Sequence, residues 1–413
     1  MTGVRAPQLP EQAIRVRARE GTAAVFPAVE DYGQVLFGAG PGARAGDELD
    51  QARVVPPVFV PHRLEKMYDL GREPLYGDVE LGTDVGGLAA PLPVFLCAFG
   101  STRVAAGDLG LAASTQAGRL GLPMVLGENV VPMHGYGRGA GPAGAGLIGR
   151  LRAYAEVVPD GLGGVVVQQS TEDADAEVWN LVYSDPYATR LLDSGRLAFE
   201  LKVGQGAKPG LGGMTVLSRA AAAAASRRYV VDEPFDAAAG AVLRSSSPGT
   251  FTAEILRCQV RLMRNNYPRA RVWVKLPPGR DVAHAAAVAW NSGADAVTVD
   301  GAEGGTGWAP AVFLDQVGLP LAECLRRLGK QDGALLVSGR VWEGARALKC
   351  LALGASAVGL GRAALLAVDE DPGDGLVRLV RCLELELELL LSALGKYSLT
   401  DLSPDDLWFP PAG

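Results

Sequence analysis

The chain has 413 residues, 48% hydrophobic and 21% charged, with a formal net charge of -7. These proportions predict a soluble globular protein with a substantial core, and the acidic balance without a basic stripe excludes nucleic acid as a partner. No segment reaches the roughly 18 uninterrupted apolar residues of a membrane span, and the N-terminus lacks the apolar core of a signal peptide, so no membrane association is expected.

Cys97, Cys258, Cys324, Cys350 and Cys382 form no C-x-x-C pair, which predicts reduced thiols and a cytoplasmic location. Residues 1–90 show no regular alternation of strand and helix. Proline-rich joints at 55–61 and 91–93 bracket them as a helical or irregular lead-in. From Pro93 onward a unit repeats: a short apolar run, a Gly/Ser/Asn break, then a longer amphipathic segment. That alternation implies βα units and a parallel sheet.

The candidate strands are VFLCA (94–98), PMVLG (123–127), VVVQ (165–168), LAFELKV (197–203), RVWVKL (271–276), AVTVD (296–300), ALLVS (334–338) and SAVGLG (356–361). Candidate helices are 105–120, 147–158, 176–192, 251–266, 282–291, 311–328, 341–353 and 375–394. Strict alternation of eight strands with eight helices is the count of a closed (β/α)8 TIM barrel. An open doubly wound sheet is the structural alternative. The domain reading is therefore a lead-in at 1–90, a barrel at 91–402 and a tail at 403–413. The fourth βα connection, Gly204 to Thr250, far exceeds the usual ~2–6 residues and predicts an excursion over the barrel mouth. The alanine run 220–225 inside it reads as compositional.

Barrel enzymes carry their chemistry at the C-terminal ends of the strands, often with a phosphate after strands seven and eight. Those ends hold Ser338-Gly339-Arg340 and Gly359-Leu360-Gly361-Arg362. Glycine lets backbone N–H groups approach an anion, and a following helix N-terminus adds its dipole. The fourth strand delivers Lys202 into a glycine-rich loop carrying Gln205 and Lys208. Two lysines beside exposed backbone N–H groups suit a carboxylate, a phosphate or an electron-rich ring.

The segment LAFELKVGQGAKPGLGG (197–213) resembles the K-M-A-Q-G-A-K-P-G-E-G-G segment of the flavin domain of glutamate synthases. Asp300 to Gly307 (DGAEGGTG) is similar to that family's S-G-H-D-G-G-T-G, with Ala302 in place of the histidine. The strand carrying Lys275 is similar to the family's V-S-V-K-L. The resemblance covers roughly residues 90 to 370. It implies an FMN-dependent, glutamate synthase-like oxidoreductase acting on a C–N bond of a small carboxylic or amino acid. The implied FMN contacts are Ala98, Phe99, Gly127, Gln205, Lys275, Gly304, Gly305, Thr306, Ser338, Gly339, Arg340, Gly359, Gly361 and Arg362. Lys275 would face the N1/C2 edge of the flavin. Lys202 and Lys208, with Arg228, Ser101 and Met214, would face the substrate. Met214 stands where the family has a glutamine that contacts 2-oxoglutarate. Glu128 is either a carboxylate over the flavin or a helix-initiating residue.

Other departures from the family pattern are informative. No second-position cysteine nucleophile is present, so an amidotransferase activity in the same chain is not expected. The family's three cluster cysteines after strand eight are absent from 361–381, so no iron–sulfur cluster and no metal site are expected. Electrons or ammonia would then pass through a partner protein, a soluble nicotinamide or O2, and a homo-oligomer is expected. The segment 383–402 resembles the last helix of FMN-dependent hydroxy-acid oxidases and isopentenyl diphosphate isomerases, which leaves oxidation of a hydroxy acid, or a flavin-dependent isomerisation, as the alternative. Hydroxy-acid oxidases need a histidine base and an arginine on the sixth loop, where this chain has Ala302 and Glu303. Of the histidines, His284 falls within a helix, and His134 in the loop after strand two is the one placed to reach the mouth.

Overall fold

The computed structural model describes residues 3–27, 46–99, 108–127, 146–171, 178–208, 215–226, 230–236, 240–245, 250–306 and 309–411. Eight parallel strands close into a barrel: β1 Val94–Leu96, β2 Met124–Leu126, β3 Val165–Ser170, β4 Leu197–Lys202, β5 Arg271–Leu276, β6 Ala296–Asp300, β7 Ala334–Ser338 and β8 Ala357–Leu360. Each strand pairs with its sequence neighbours, and closure comes from β8 on β1, with Val358 opposite Val94. This is the (β/α)8 barrel that the alternation predicts.

Strand periodicity sorts the side chains into an outer and an inner core. Val165, Val167, Phe199, Leu201, Val272 and Val274 point outward and pack under the helices. Val166, Ala198, Trp273, Ala296, Leu336, Ala357 and Phe95 point inward and fill the lower half of the barrel. The N-terminal end is plugged by an antiparallel hairpin, Thr83–Val85 with Leu88–Ala90, which adds Val85 and Leu88 to that inner core. Its turn, Gly86-Gly87, has both φ values positive, at 62° and 92°. A two-residue hairpin turn of this kind suits glycine. Gly86 also sits against Trp273, whose Nε1 donates to the Gly86 carbonyl at 2.9 Å.

The helices follow the predicted alternation, with differences that the chain explains. The segment 176–192 is two helices, Val178–Ser184 and Pro186–Asp193, because Pro186 starts a new helix at its first turn. The segment 311–328 is likewise two, Ala311–Gln316 and Leu321–Leu328, separated by Val317 to Pro320. An additional helix, Arg362–Glu370, stands between β8 and the last long helix, Gly375–Ala393. Within the fourth connection, Thr215–Ser218, Val231–Asp232 and Ala241–Arg244 form a three-stranded antiparallel sheet with Ala241–Arg244 in the middle. The alanine run there is helical, as part of Arg219–Ala225.

The lead-in is fastened to the barrel by charge. Arg15 pairs with Asp369 and Glu370 at 2.9 Å each, and Arg17 pairs with Glu386. A single helical turn, Glu48–Gln51, lies against the helices that follow β6 and β7. Arg53–Val54 pairs antiparallel with Leu407–Trp408 near the C-terminus. No helix among the described residues is long and apolar enough to cross a membrane.

Candidate functional site at the barrel mouth

Above the apolar half, the inner face of the barrel turns polar. Gln168, Glu200, Lys275, Thr298, Asp300, Ser338 and Cys97 are all buried there. Burial of so many polar groups demands partners. Glu200 accepts hydrogen bonds from Thr298 Oγ1 at 2.8 Å and from Gln168 Nε2. Asp300 accepts one from Ser338 Oγ and forms an ion pair with Lys275 Nζ at 3.1 Å. Burial opposes the Lys275 charge, but Asp300, with Cys97 and Glu200, outweighs it and holds the ammonium above its ordinary value. Burial pushes the Glu200 carboxyl up, and pushes the Cys97 thiol up to about 12. The result is a buried ammonium inside the barrel, paired with Asp300 and set among hydrogen-bonded polar side chains.

Lys202 is directly opposite Lys275 in the β4–β5 register. Its Nζ donates to Gln205 Oε1 at 3.1 Å, and Gln205 Nε2 donates in turn to the Gly305 carbonyl at 2.9 Å. The glycine-rich loop after β4 is therefore seated on the loop after β6. Gly206 makes the approach possible: φ is 45°, and a Cβ there would lie 2.8 Å from Thr306 Cγ2. Gly304 closes a tight turn, its N–H donating to the Gly301 carbonyl at 2.9 Å, and Thr306 is buried. Lys208 N donates to the Gln205 carbonyl at 3.1 Å, which keeps the loop folded back on itself.

The ends of β7 and β8 form the basic part of the mouth. Arg340 has φ of 55°, the one non-glycine residue with positive φ among the described residues. Such a conformation is strained for a long side chain and marks a position held by its surroundings. Its Nη2 is 3.0 Å from Asp50 Oδ2, while its Nε is buried with no hydrogen-bond partner. Arg362 opens the helix Arg362–Glu370, donating to the Glu303 carbonyl and to Gln8 Oε1 at 3.4 Å. Burial, and then the charge of Arg340, depress the Arg362 guanidinium below its ordinary value. Two guanidinium groups that destabilise one another beside a helix N-terminus form a site suited to an anion.

Several residues of the sequence reading occupy other roles or other places. Gly359 faces the barrel interior, where a Cβ would lie 2.4 Å from Cys97 Sγ, so packing accounts for glycine there. Gly361 precedes its helix, and a Cβ there would make only an ordinary contact, 3.8 Å from Cys97 Cβ. Phe99 is buried in the outer core, Ala98 is half-buried, and Gly127 is buried at the end of β2. Gly339 gives its carbonyl to Arg346 Nε at 2.8 Å. Ser101, Glu128, Met214 and Arg228, like His134, lie outside the described residues. His284 is exposed on the helix Val282–Asn291.

The sequence reading missed Glu200, Asp300, Asp47 and Asp50. A carboxylate in the middle of an apolar barrel strand, as in LAFELK, is itself a signal of a buried polar partner. Asp47 and Asp50 carry no comparable signal, because their partners lie roughly three hundred positions away in sequence.

Comparison with known proteins defines the class first. A soluble mutant of (S)-mandelate dehydrogenase from Pseudomonas putida superposes with a TM-score of 0.57 at 20% identity, covering 97% of this chain and 99% of that one. A flavocytochrome b2 variant with sulfite bound gives 0.56 at 19% identity, covering 87% of this chain and 76% of that one. At such identities the likeness concerns the fold, a TIM barrel of the same layout. Residues 188–370 match the family model described as a conserved region in glutamate synthase. The archaeal-type glutamate synthase (NADPH) of Dehalococcoides mccartyi is 31% identical over 186 residues, 43% of this chain and 36% of that protein. The archaeal glutamate synthase (NADPH) of Methanocaldococcus jannaschii is 35% identical over 179 residues, 41% and 34% respectively. This part of the chain is thus a glutamate synthase-like region, and the chain spans about a third of the length of these relatives.

Proposed function

We propose that the protein is an FMN-dependent oxidoreductase acting on a C–N bond of a small amino or carboxylic acid. The single observation that carries this reading is the mouth of the barrel. Buried Lys275 lies inside the barrel, and Arg340 and Arg362 stand near one another at the ends of β7 and β8, with the Arg340 Nε unpartnered. That donor set fits a phosphorylated flavin: the arginines and the helix N-terminus at Arg362 would hold the phosphate. Bound FMN would supply two-electron redox chemistry between a substrate and a second electron carrier. Lys275 would present its charge to the flavin edge that becomes negative on reduction, and its ion pair with Asp300 fixes that charge before reaction. Lys202 and Lys208 on the loop after β4 would bind the substrate carboxylate, with Gln205 aligning Lys202.

The glutamate synthase-like region supports an amino-acid substrate and a partner protein that passes electrons or ammonia to the site. No iron–sulfur cluster takes part in this reading. Self-association is expected as well, because the helix Pro61–Leu70 buries none of its residues and turns Leu64 and Tyr68 outward beside Phe59, which is 85% exposed. The reading is tested by releasing and identifying flavin from the purified protein, then adding amino, imino and hydroxy acids to it anaerobically. Bleaching of the flavin band by an amino acid supports the proposal, and bleaching by hydroxy acids alone contradicts the C–N assignment.

A further inference from the structure

The short turn Glu48–Gln51 is fastened with unusual thoroughness. Arg346, fully buried, donates through Nη1 to Asp50 Oδ1 at 2.8 Å and to Asp47 Oδ1 at 2.6 Å, and through Nη2 to Asp47 Oδ2 at 2.7 Å. Lys349 Nζ donates to the Leu49 carbonyl at 2.7 Å, and Arg326 pairs with Glu48. Four consecutive residues, Asp47 to Asp50, are thus tied to the helices after β6 and β7 by three cations, three through side-chain carboxylates and Leu49 through its carbonyl. Leu49 and Asp50 of this turn are buried, and charge-assisted contacts of this kind are among the stronger hydrogen bonds. What the fastening secures is Asp50, which is 6% exposed and pinned on one oxygen by Arg346. Its other oxygen lies 3.0 Å from Arg340 Nη2, an ion pair without hydrogen-bond geometry.

We infer that Asp50 is a positioning residue for the anion end of the mouth: its ion pair with one terminal nitrogen of Arg340 holds the guanidinium in place for a ligand phosphate. The inference rests on the flavin reading above and extends it to the lead-in, which the family match at 188–370 does not reach. A guanidinium has five N–H donors in a rigid fork, so fixing one nitrogen orients the rest. Arg340 needs such a hold because its backbone sits at φ of 55°, a conformation that surroundings must impose. Asp50 is unable to swing away and compete for the phosphate, since Arg346 holds its other oxygen. Asp47 shares Arg346 but is not paired with Arg340, so the two carboxylates separate positioning from mere fastening.

The test compares FMN with riboflavin, which has the same ring system and no phosphate. Apoprotein carrying Asp50→Asn should bind FMN about tenfold more weakly than wild type, with riboflavin affinity unchanged. Asp47→Asn should leave the FMN-to-riboflavin ratio at the wild-type value. Arg340→Ala should remove the same discrimination, and Asp50→Asn added to it should cause no further loss. Equal weakening of both flavins in Asp50→Asn, or tighter FMN binding, would overturn the inference. If wild type binds neither flavin, the flavin reading fails on its own. Calorimetric titration with inorganic phosphate then decides the inference separately: weaker binding in Asp50→Asn supports it, and unchanged binding or none overturns it.

Discussion

Lys275 and Lys202 stand side by side on adjacent strands at the mouth, yet their surroundings differ in ways that predict different phenotypes. Lys275 neutralises buried Asp300 beside Glu200, so Lys275→Met leaves carboxylates uncompensated in the barrel. Removing one partner of a buried ion pair costs about 3–5 kcal/mol, and thermal unfolding should show that loss. The double variant Lys275→Met with Asp300→Asn should recover much of the stability but not the flavin potential, which is expected to fall in both. Lys202→Met breaks a half-buried contact to Gln205 and should weaken substrate binding with the potential nearly unchanged. Equal potentials in wild type and both lysine variants, read by anaerobic potentiometric titration, would remove Lys275 from the flavin edge. Arg362→Ala should weaken FMN retention roughly tenfold, read as flavin content after dialysis.

Glu303 adds a pH dependence. Burial, and then the nearby Asp47 carboxylate, push its carboxyl up to about 7, while Asp47 is held below its ordinary value with Arg346 as its partner. A carboxyl raised in the folded state contributes stability that is complete below its ordinary 4.5 and is lost as pH rises through about 7. Melting temperature should therefore decline across that window, and Glu303→Gln should flatten the decline. A wild-type profile flat from 4.5 to 7 would contradict the placement of Glu303 beside Asp47.

Among the elements, the hairpin at the barrel floor carries a sharp structural requirement. Gly86 has φ of 62°, and a Cβ there would lie 2.7 Å from Ala296 Cβ and 2.8 Å from Trp273. Gly86→Ala combines backbone strain with overpacking and should cost about 1–3 kcal/mol, measurable by denaturant titration. An unchanged midpoint would show that the hairpin does not plug the barrel. The barrel strands themselves were legible, because each is a short apolar run and most are closed by glycine, serine or a charge. The two split helices were legible in principle from Pro186 and Pro320, whose rings end a preceding helix. The helix Arg362–Glu370 was hidden because its first residues, Gly361-Arg362, read as an anion loop. That loop is also the helix N-terminus, and the two descriptions are compatible.

At the scale of the whole molecule, the apolar half of the barrel gives rigidity and the polar half gives the site, with the lead-in reaching from one to the other. The hairpin at Thr83–Ala90 closes the floor, and the turn at Glu48–Gln51 braces the rim. Local pattern predicted the barrel, the basic ends of β7 and β8, and the lysines of β4 and β5. It did not reveal Asp50 on Arg340 or Asp300 on Lys275, since both pairings are products of closure. The central claim is that this mouth holds FMN, and its most direct measurement is the flavin content of the purified protein, followed by reconstitution of the apoprotein. The account predicts one FMN per chain, released intact on denaturation and taken up again with quenching of its fluorescence. A colourless protein that neither releases FMN nor takes it up at micromolar concentration would contradict it.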